Sequence, residues 1–195
     1  PENLVTILDK PTTRFEVVFD AWPDVKFEAK IKSFARTSSD ALGFPVSLIN
    51  IDVAIIKDGY FGDTSRMYYV GDVSPAAKKL CDTTYEAMVA GIHAVKPGAT
   101  LGDIGFAIQS VAHRDGYTVV REYCGHGIGT TYHEQPSVLH YGQAGQGMVL
   151  KKGMVFTIEP MINAGKAGIK ELKDGWTVVT KDKSLSAQWE HMVAV

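Results

Sequence analysis

The residues best suited to chemistry are carboxylates set where a strand usually carries apolar side chains. Asp52 and Asp63 lie in the two arms of 50–70, an alternating stretch folded about Asp58-Gly59. A two-residue turn there puts Asp63 opposite Ala54, with Asp52 two residues further along the strand of Ala54. The carboxylates then share one face as a diagonal pair, about 7–8 Å apart at the backbone, from where they can converge on one ion. A half-exposed strand face would also carry them, and a one-residue bulge would part them.

Further candidates lie downstream. His126 stands in Gly125-His-Gly-Ile-Gly129, where the lack of side-chain bulk lets a ligand approach, though a lone histidine there also suits a loop or core. His133-Glu-Gln-Pro136 follows. Glu159 ends the apolar run Phe156-Thr-Ile-Glu159, and Pro160 after it marks an edge or a strand end. Glu190 lies in the final strand pattern, Gln188-Trp-Glu-His-Met-Val193. An unpaired buried charge is expensive, so such carboxylates need a cation or a proton. Four carboxylates with one or two imidazoles suit a pair of divalent ions such as manganese, iron or cobalt. A structural zinc site would draw on cysteine and histidine instead.

The elements that must position these groups follow from periodicity and breakers. Alternation predicts strands at 14–19 and 25–32 with a turn over 21–24, while 33–48 carries no clear pattern. Ser74-Pro75 opens a helix as N-cap and first helical residue, and Pro97-Gly98 stops it. Thr100 and Asp103 form a capping box for a second helix that runs to about Arg114. Short strands at 118–120, 154–162, 176–180 and 188–195 are joined by glycine-rich loops, and His126 falls in one of these. Helices without strict βαβ alternation favour an α+β fold with a largely antiparallel sheet.

Composition excludes several classes. The 195 residues are 45% hydrophobic and 22% charged, as in a globular domain with its own core. A formal charge of -2 gives no global field for nucleic acid or an anionic membrane. Cys81 and Cys124 are far apart and form no framework, which fits a reducing, cytoplasmic setting. No signal-peptide pattern is read at the start, and no apolar run reaches the roughly 20 residues that span a bilayer.

From about Ile49 onward the chain resembles the type I methionine aminopeptidases, which are pita-bread metallopeptidases. The matching runs are Asn50-Ile-Asp-Val53, Gly62-Asp-Thr-Ser65, 121–129 (Arg-Glu-Tyr-Cys-Gly-His-Gly-Ile-Gly), 156–161 (Phe-Thr-Ile-Glu-Pro-Met), 173–178 (Lys-Asp-Gly-Trp-Thr-Val) and 184–191 (Ser-Leu-Ser-Ala-Gln-Trp-Glu-His). Prolidase and creatinase relatives share the ligand types but are less like Tyr123-Cys124 and 173–191. The resemblance implies a pita-bread fold: a mainly antiparallel, curved sheet covered by helices, α+β in class. It is expected as a single catalytic domain over 1–195, with 1–48 divergent, 49–195 family-like and the N-terminal half reduced.

The resemblance also implies a ligand set of Asp52, Asp63, His126, Glu159 and Glu190 for two divalent ions, drawn from cobalt, manganese, iron, zinc or nickel. Asp63 and Glu190 would bridge the ions, with His126 and Glu159 on one and Asp52 on the other. Glu159 would shuttle a proton, and His133 would stabilise the peptide carbonyl as it becomes tetrahedral. Cys124, Tyr132 and Trp176 would help form the methionine pocket, or else serve only in packing. The implied activity is removal of N-terminal methionine from peptides and nascent proteins in the cytoplasm. A monomer, ribosome association, and no direct contact with nucleic acid or membrane are further expectations. One departure stands out: the family's Cys-His-Gly-Ile-Pro segment, whose histidine contacts substrate, has no counterpart, since no histidine precedes His93. Alternatives are therefore a pita-bread domain that binds metal or protein with little catalysis, and a prolidase-like dipeptidase.

Overall fold

The computed structural model describes residues 48–69 and 71–195, together with the backbone of three preceding strands: β1 (Phe15–Phe19), β2 (Trp22–Ala29) and β3 (Ser33–Thr37). β1 and β2 pair antiparallel, close to the expected strands. The turn expected over 21–24 is corrected: Trp22 already pairs with Phe19 inside β2, while Ala21 lies outside the described residues.

The expected hairpin forms from β4 (Leu48–Lys57) and β5 (Tyr60–Tyr69). Asp58 and Gly59 both take positive φ, 52° and 85°, the pair of left-handed residues that a tight type I′ turn requires. The register is regular along its whole length, without a bulge. Helix α1 (Pro75–His93) starts at Ser74, whose hydroxyl accepts the Ala77 amide. Helix α2 (Leu101–Arg114) starts with the expected capping box, Thr100 and Asp103 satisfying each other's backbone amides. The helices meet closely at Gly91, where a Cβ would lie only 2.8 Å from the Ile108 side chain, which would have to shift to admit it.

The remaining chain is strands: β6 (Thr118–Val119), β7 (Gly125–Gly127), β8 (Glu134–Val138), β9 (Val155–Ile158), β10 (Met161–Asn163), β11 (Ile169–Glu171), β12 (Val178–Thr180), β13 (Ser186–Gln188) and β14 (Glu190–Ala194). Seven strands form one antiparallel sheet in the order β3-β4-β5-β14-β9-β7-β8, and β13-β10-β6 form a second, three-stranded one. β11 and β12 make a separate hairpin. The architecture is α+β and antiparallel, as expected.

Three sequence expectations are corrected. The strand 154–162 is two strands, because Pro160 has no amide to donate and the chain passes there from the large sheet into the small one. The strand 188–195 likewise divides at Trp189, between β13 in the small sheet and β14 in the large one. The two crossings lie side by side, since Met161 pairs with Gln188 on one side and Ile158 with His191 on the other. His126 belongs to a strand and not to a loop.

The core unites both layers. Leu80, Met88, Ile104 and Ile108 of the helices pack with Leu48, Met67, Phe156, Ile158 and Ile162 of the strands. Each such side chain contributes about 1.5–3 kcal/mol on full burial. The Trp189 indole donates to the Cys81 carbonyl at 3.1 Å, which pins the crossing between the sheets to α1.

Candidate metal centre

The hairpin register sets Asp63 opposite Ala54 and Asp52 opposite Ser65, the diagonal placement expected from the sequence. Glu190, the first residue of β14, also faces Ser65, from the other side. Asp52, Ser65 and Glu190 therefore form a row across three neighbouring strands, and Asp63 stands two residues along β5 from its middle. Polar contacts lock this row. Asn50 donates to the Ser65 hydroxyl at 2.7 Å and to the Gln188 carbonyl at 2.9 Å. Thr64 donates to the Glu190 carbonyl at 2.9 Å.

His126 reaches the row from β7. Its neighbours must be glycine: a Cβ at Gly125 would strike the Thr157 carbonyl, and one at Gly127 the Gln135 carbonyl. The glycines that looked like a loop thus allow β8 and β9 to close on the histidine's strand from both sides. Nδ1 of His126 lies 2.9 Å from the Gly127 carbonyl. A carbonyl only accepts, so Nδ1 carries a proton, and in the neutral ring Nε2 then presents a lone pair, the tautomer that a metal ligand needs. Nε2 points at carboxylates, 3.6 Å from Glu159 Oε1 and 3.8 Å from Asp63 Oδ2.

One ligand atom each from Asp63, His126 and Glu190 lies within 4.8 Å of the others, a group that could hold a metal ion. Asp63 and Glu190 are only 6% and 2% exposed. Two carboxylates at that burial are costly unless a cation or a proton compensates them. Oδ1 of Asp63 is buried without a hydrogen bond, an orphaned acceptor in a group of oxygens and one imidazole. The donor set fits a divalent cation. Among the described residues, the tight group of three leaves out Asp52 and Glu159. Glu159 adjoins it through His126. Asp52 lies within electrostatic reach of the same phenol as Asp63 and Glu190.

That phenol is Tyr132. Its pKa is pushed well above the ordinary tyrosine value by burial first, then by its hydrogen bond to Asp63 and the charges on Asp63, Asp52 and Glu190. Its ring packs on His133 at 4.2 Å, and the His133 ring stands perpendicular to His126 at 4.3 Å. His133 is exposed beside the cluster, Cys124 is half-buried just before β7, and Trp176 stands 74% exposed in the β11–β12 connection. The Asp174 carboxylate holds that connection by accepting from the Trp176 and Thr177 amides.

Sequence reasoning passed over Thr157, His140, Asn50 and Gln188. Thr157 donates to Glu159 Oε1 at 2.7 Å and accepts the His126 amide at 3.0 Å. Nε2 of the fully buried His140 accepts the Glu159 amide at 3.1 Å, and burial pushes its pKa down to about 3. Gln188 approaches Glu159 Oε2 at 3.5 Å. These are neutral side chains with common neighbours in sequence, and distant strand pairing brings His140 and Gln188 to Glu159 and Asn50 to Ser65.

The chain matches a model of metallopeptidase family M24 over residues 33–195. A methionine aminopeptidase of Rickettsia prowazekii is 60% identical over 149 residues, which cover 76% of this chain and 58% of that protein. The Escherichia coli K12 methionine aminopeptidase is 55% identical over 148 residues, covering 76% and 56%. The crystal structure of the Rickettsia prowazekii enzyme superposes with a TM-score of 0.75 over 76% of this chain and 60% of its own. A prolidase from Pyrococcus furiosus follows the same fold at a TM-score of 0.59 and 26% identity, covering 76% and 38%. The chain thus spans somewhat over half the length of the methionine aminopeptidases it matches. With that family match joined to a pita-bread fold and a buried Asp-His-Glu cluster, the chain belongs to metallopeptidase family M24.

Proposed function

We propose that this chain is a metal-dependent aminopeptidase that removes N-terminal methionine from peptides and nascent proteins. The convergence of Asp63, His126 and Glu190 carries this reading, and their donor atoms lie within 4.8 Å of one another. Asp52, Asp63, His126, Glu159 and Glu190 would hold two divalent ions. Ions held there supply the Lewis acidity that peptide hydrolysis needs at neutral pH.

The chain's own side chains do the rest. Glu159 is the general base that takes up the proton and passes it to the leaving amine, with Thr157 donating to its Oε1 and Gln188 near its Oε2. His133, exposed and perpendicular to His126, is the donor to the oxygen that gains charge as the carbonyl becomes tetrahedral. Tyr132, Cys124 and Trp176 would shape the methionine pocket. Every candidate ligand lies in 49–195, and 1–195 is read as one catalytic domain with 1–48 as its divergent part.

A second reading is a metal-binding domain with little catalysis. It is favoured by one observation, the lack of any histidine before His93 to serve as the family's substrate histidine. Incubating the chain and manganese or cobalt with a methionyl peptide of small second residue separates the two. Free methionine is the expected product, and none above an Asp63→Ala control removes the aminopeptidase reading. Bound metal without turnover would leave the binding domain, and cleavage of X-Pro dipeptides alone would point to the prolidase-like activity.

A further inference from the structure

We infer that Thr157 and His140 are positioning residues that hold Glu159 in register with His126, so that the two act on a metal as one unit. This rests on reading His126 and Glu159 as ligands. Thr157 is fully buried in β9, and its single hydroxyl bridges the two residues: it accepts the His126 amide at 3.0 Å and donates to Glu159 Oε1 at 2.7 Å. A hydroxyl has one proton, and an amide N–H can only donate. The Thr157 proton is therefore committed to the carboxylate, and the main chain of one candidate ligand is tied to the side chain of the other.

His140 works on the main chain. Glu159 stands where the chain leaves β9 for the second sheet, and its amide goes to a side chain, Nε2 of His140, in place of a ladder carbonyl. The ring is fully buried, and an amide N–H at 3.1 Å needs a lone pair on Nε2 to receive it. Neither residue competes for the metal. The Nε2 lone pair of His140 is already engaged, and the Thr157 hydroxyl has its proton and one lone pair committed to its two partners. The two supports thus fix both ends of Glu159, its amide and its carboxylate.

Groups that orient ligands in this way are typically worth ten- to a hundredfold in metal affinity. Manganese binding to the full chain, followed by calorimetry, tests the inference directly and needs no turnover. Thr157→Val keeps the shape without the hydroxyl, and His140→Leu removes the acceptor. Both are expected to weaken binding by about ten- to a hundredfold. Thr157→Ser restores the hydroxyl, and His140→Gln restores an acceptor near the Nε2 position, so both are expected to recover most of the affinity. Equal affinity in Thr157→Val and the unaltered chain overturns the inference. So does a Thr157→Ser variant as weak as Thr157→Val, because packing alone would then explain the loss. Should His140→Leu fail to fold, the Thr157 pair decides the matter. Asp63→Ala separates the layers: if it abolishes binding while Thr157→Val does not weaken it, only the positioning role falls. If Asp63→Ala binds manganese normally, the ligand reading beneath it falls as well.

Discussion

His126 shows how much chemistry one proton's position decides. Because the Gly127 carbonyl accepts from Nδ1, the neutral ring turns a lone pair on Nε2 toward Asp63 and Glu159. His133, its ring centroid 4.3 Å from that of His126, is exposed. Replacing His133 by Ala is expected to lower kcat about 10²–10³-fold while bound metal per chain stays unchanged. Steady-state kinetics beside metal analysis would check this, and loss of metal in the variant would move His133 into the ion-binding set. At this scale the sequence was most readable for the charged residues. A carboxylate in an apolar strand is conspicuous because burying it is costly, so Asp52, Asp63, Glu159 and Glu190 stood out unaided. Thr157 and His140 did not, because threonine is common in strands and a histidine between Leu139 and Tyr141 suits any core. Their meaning comes from contacts with residues 2 to 31 positions away.

Local elements follow local signals, and elements made by distant pairing do not. Both helix starts are written within a few residues, in Ser74-Pro75 and in Thr100 with Asp103, and both form as read. The Asp58-Gly59 turn is of the same kind and fixes the hairpin register that carries Asp52 and Asp63. β7 is the opposite case. Two of its three residues are glycine, and it is a strand only because β8 and β9 flank it. The helix ends are also joined, since Asp115 accepts from Thr83 of α1 and from Arg114 of α2, while Arg114 reaches Glu86. Hydrogen bonds from Arg114 and then Thr83 hold the Asp115 carboxyl down at about 2. A folded-state pKa below the ordinary value of 3.8 means that the native chain binds fewer protons than the unfolded one in that window. This contribution to stability is present above pH 3.8 and is lost as the pH falls toward about 2. Thermal unfolding of Asp115→Asn against the unaltered chain is expected to show a deficit near neutral pH that closes through that range. A deficit that stays constant with pH would assign the effect to packing.

At the scale of the whole molecule, charge has been concentrated where folding can least tolerate it. Asp63 and Glu190 are buried side by side, with Glu159 near, so a cation that binds only the native state is expected to stabilise it strongly. Free manganese at a hundred times its Kd adds about 2.7 kcal/mol, or roughly 5–10 °C in Tm for a chain of this length. Scanning calorimetry with and without chelator measures this, and Asp63→Asn is expected to abolish the rise. No helix of the described residues is long and apolar enough to cross a membrane. The row Asp52–Ser65–Glu190 carries one more consequence. β5 and β14 lie side by side in the sheet, yet the Thr64–Glu190 contact closes a sequence separation of 126 residues. Closing so long a loop is entropically slow and depends on the intervening helices and strands to shorten it. Asp63 and Glu190 are thus brought together by the most distant pairing among the described strands of the sheet, so metal is expected to bind only once β14 has joined β5.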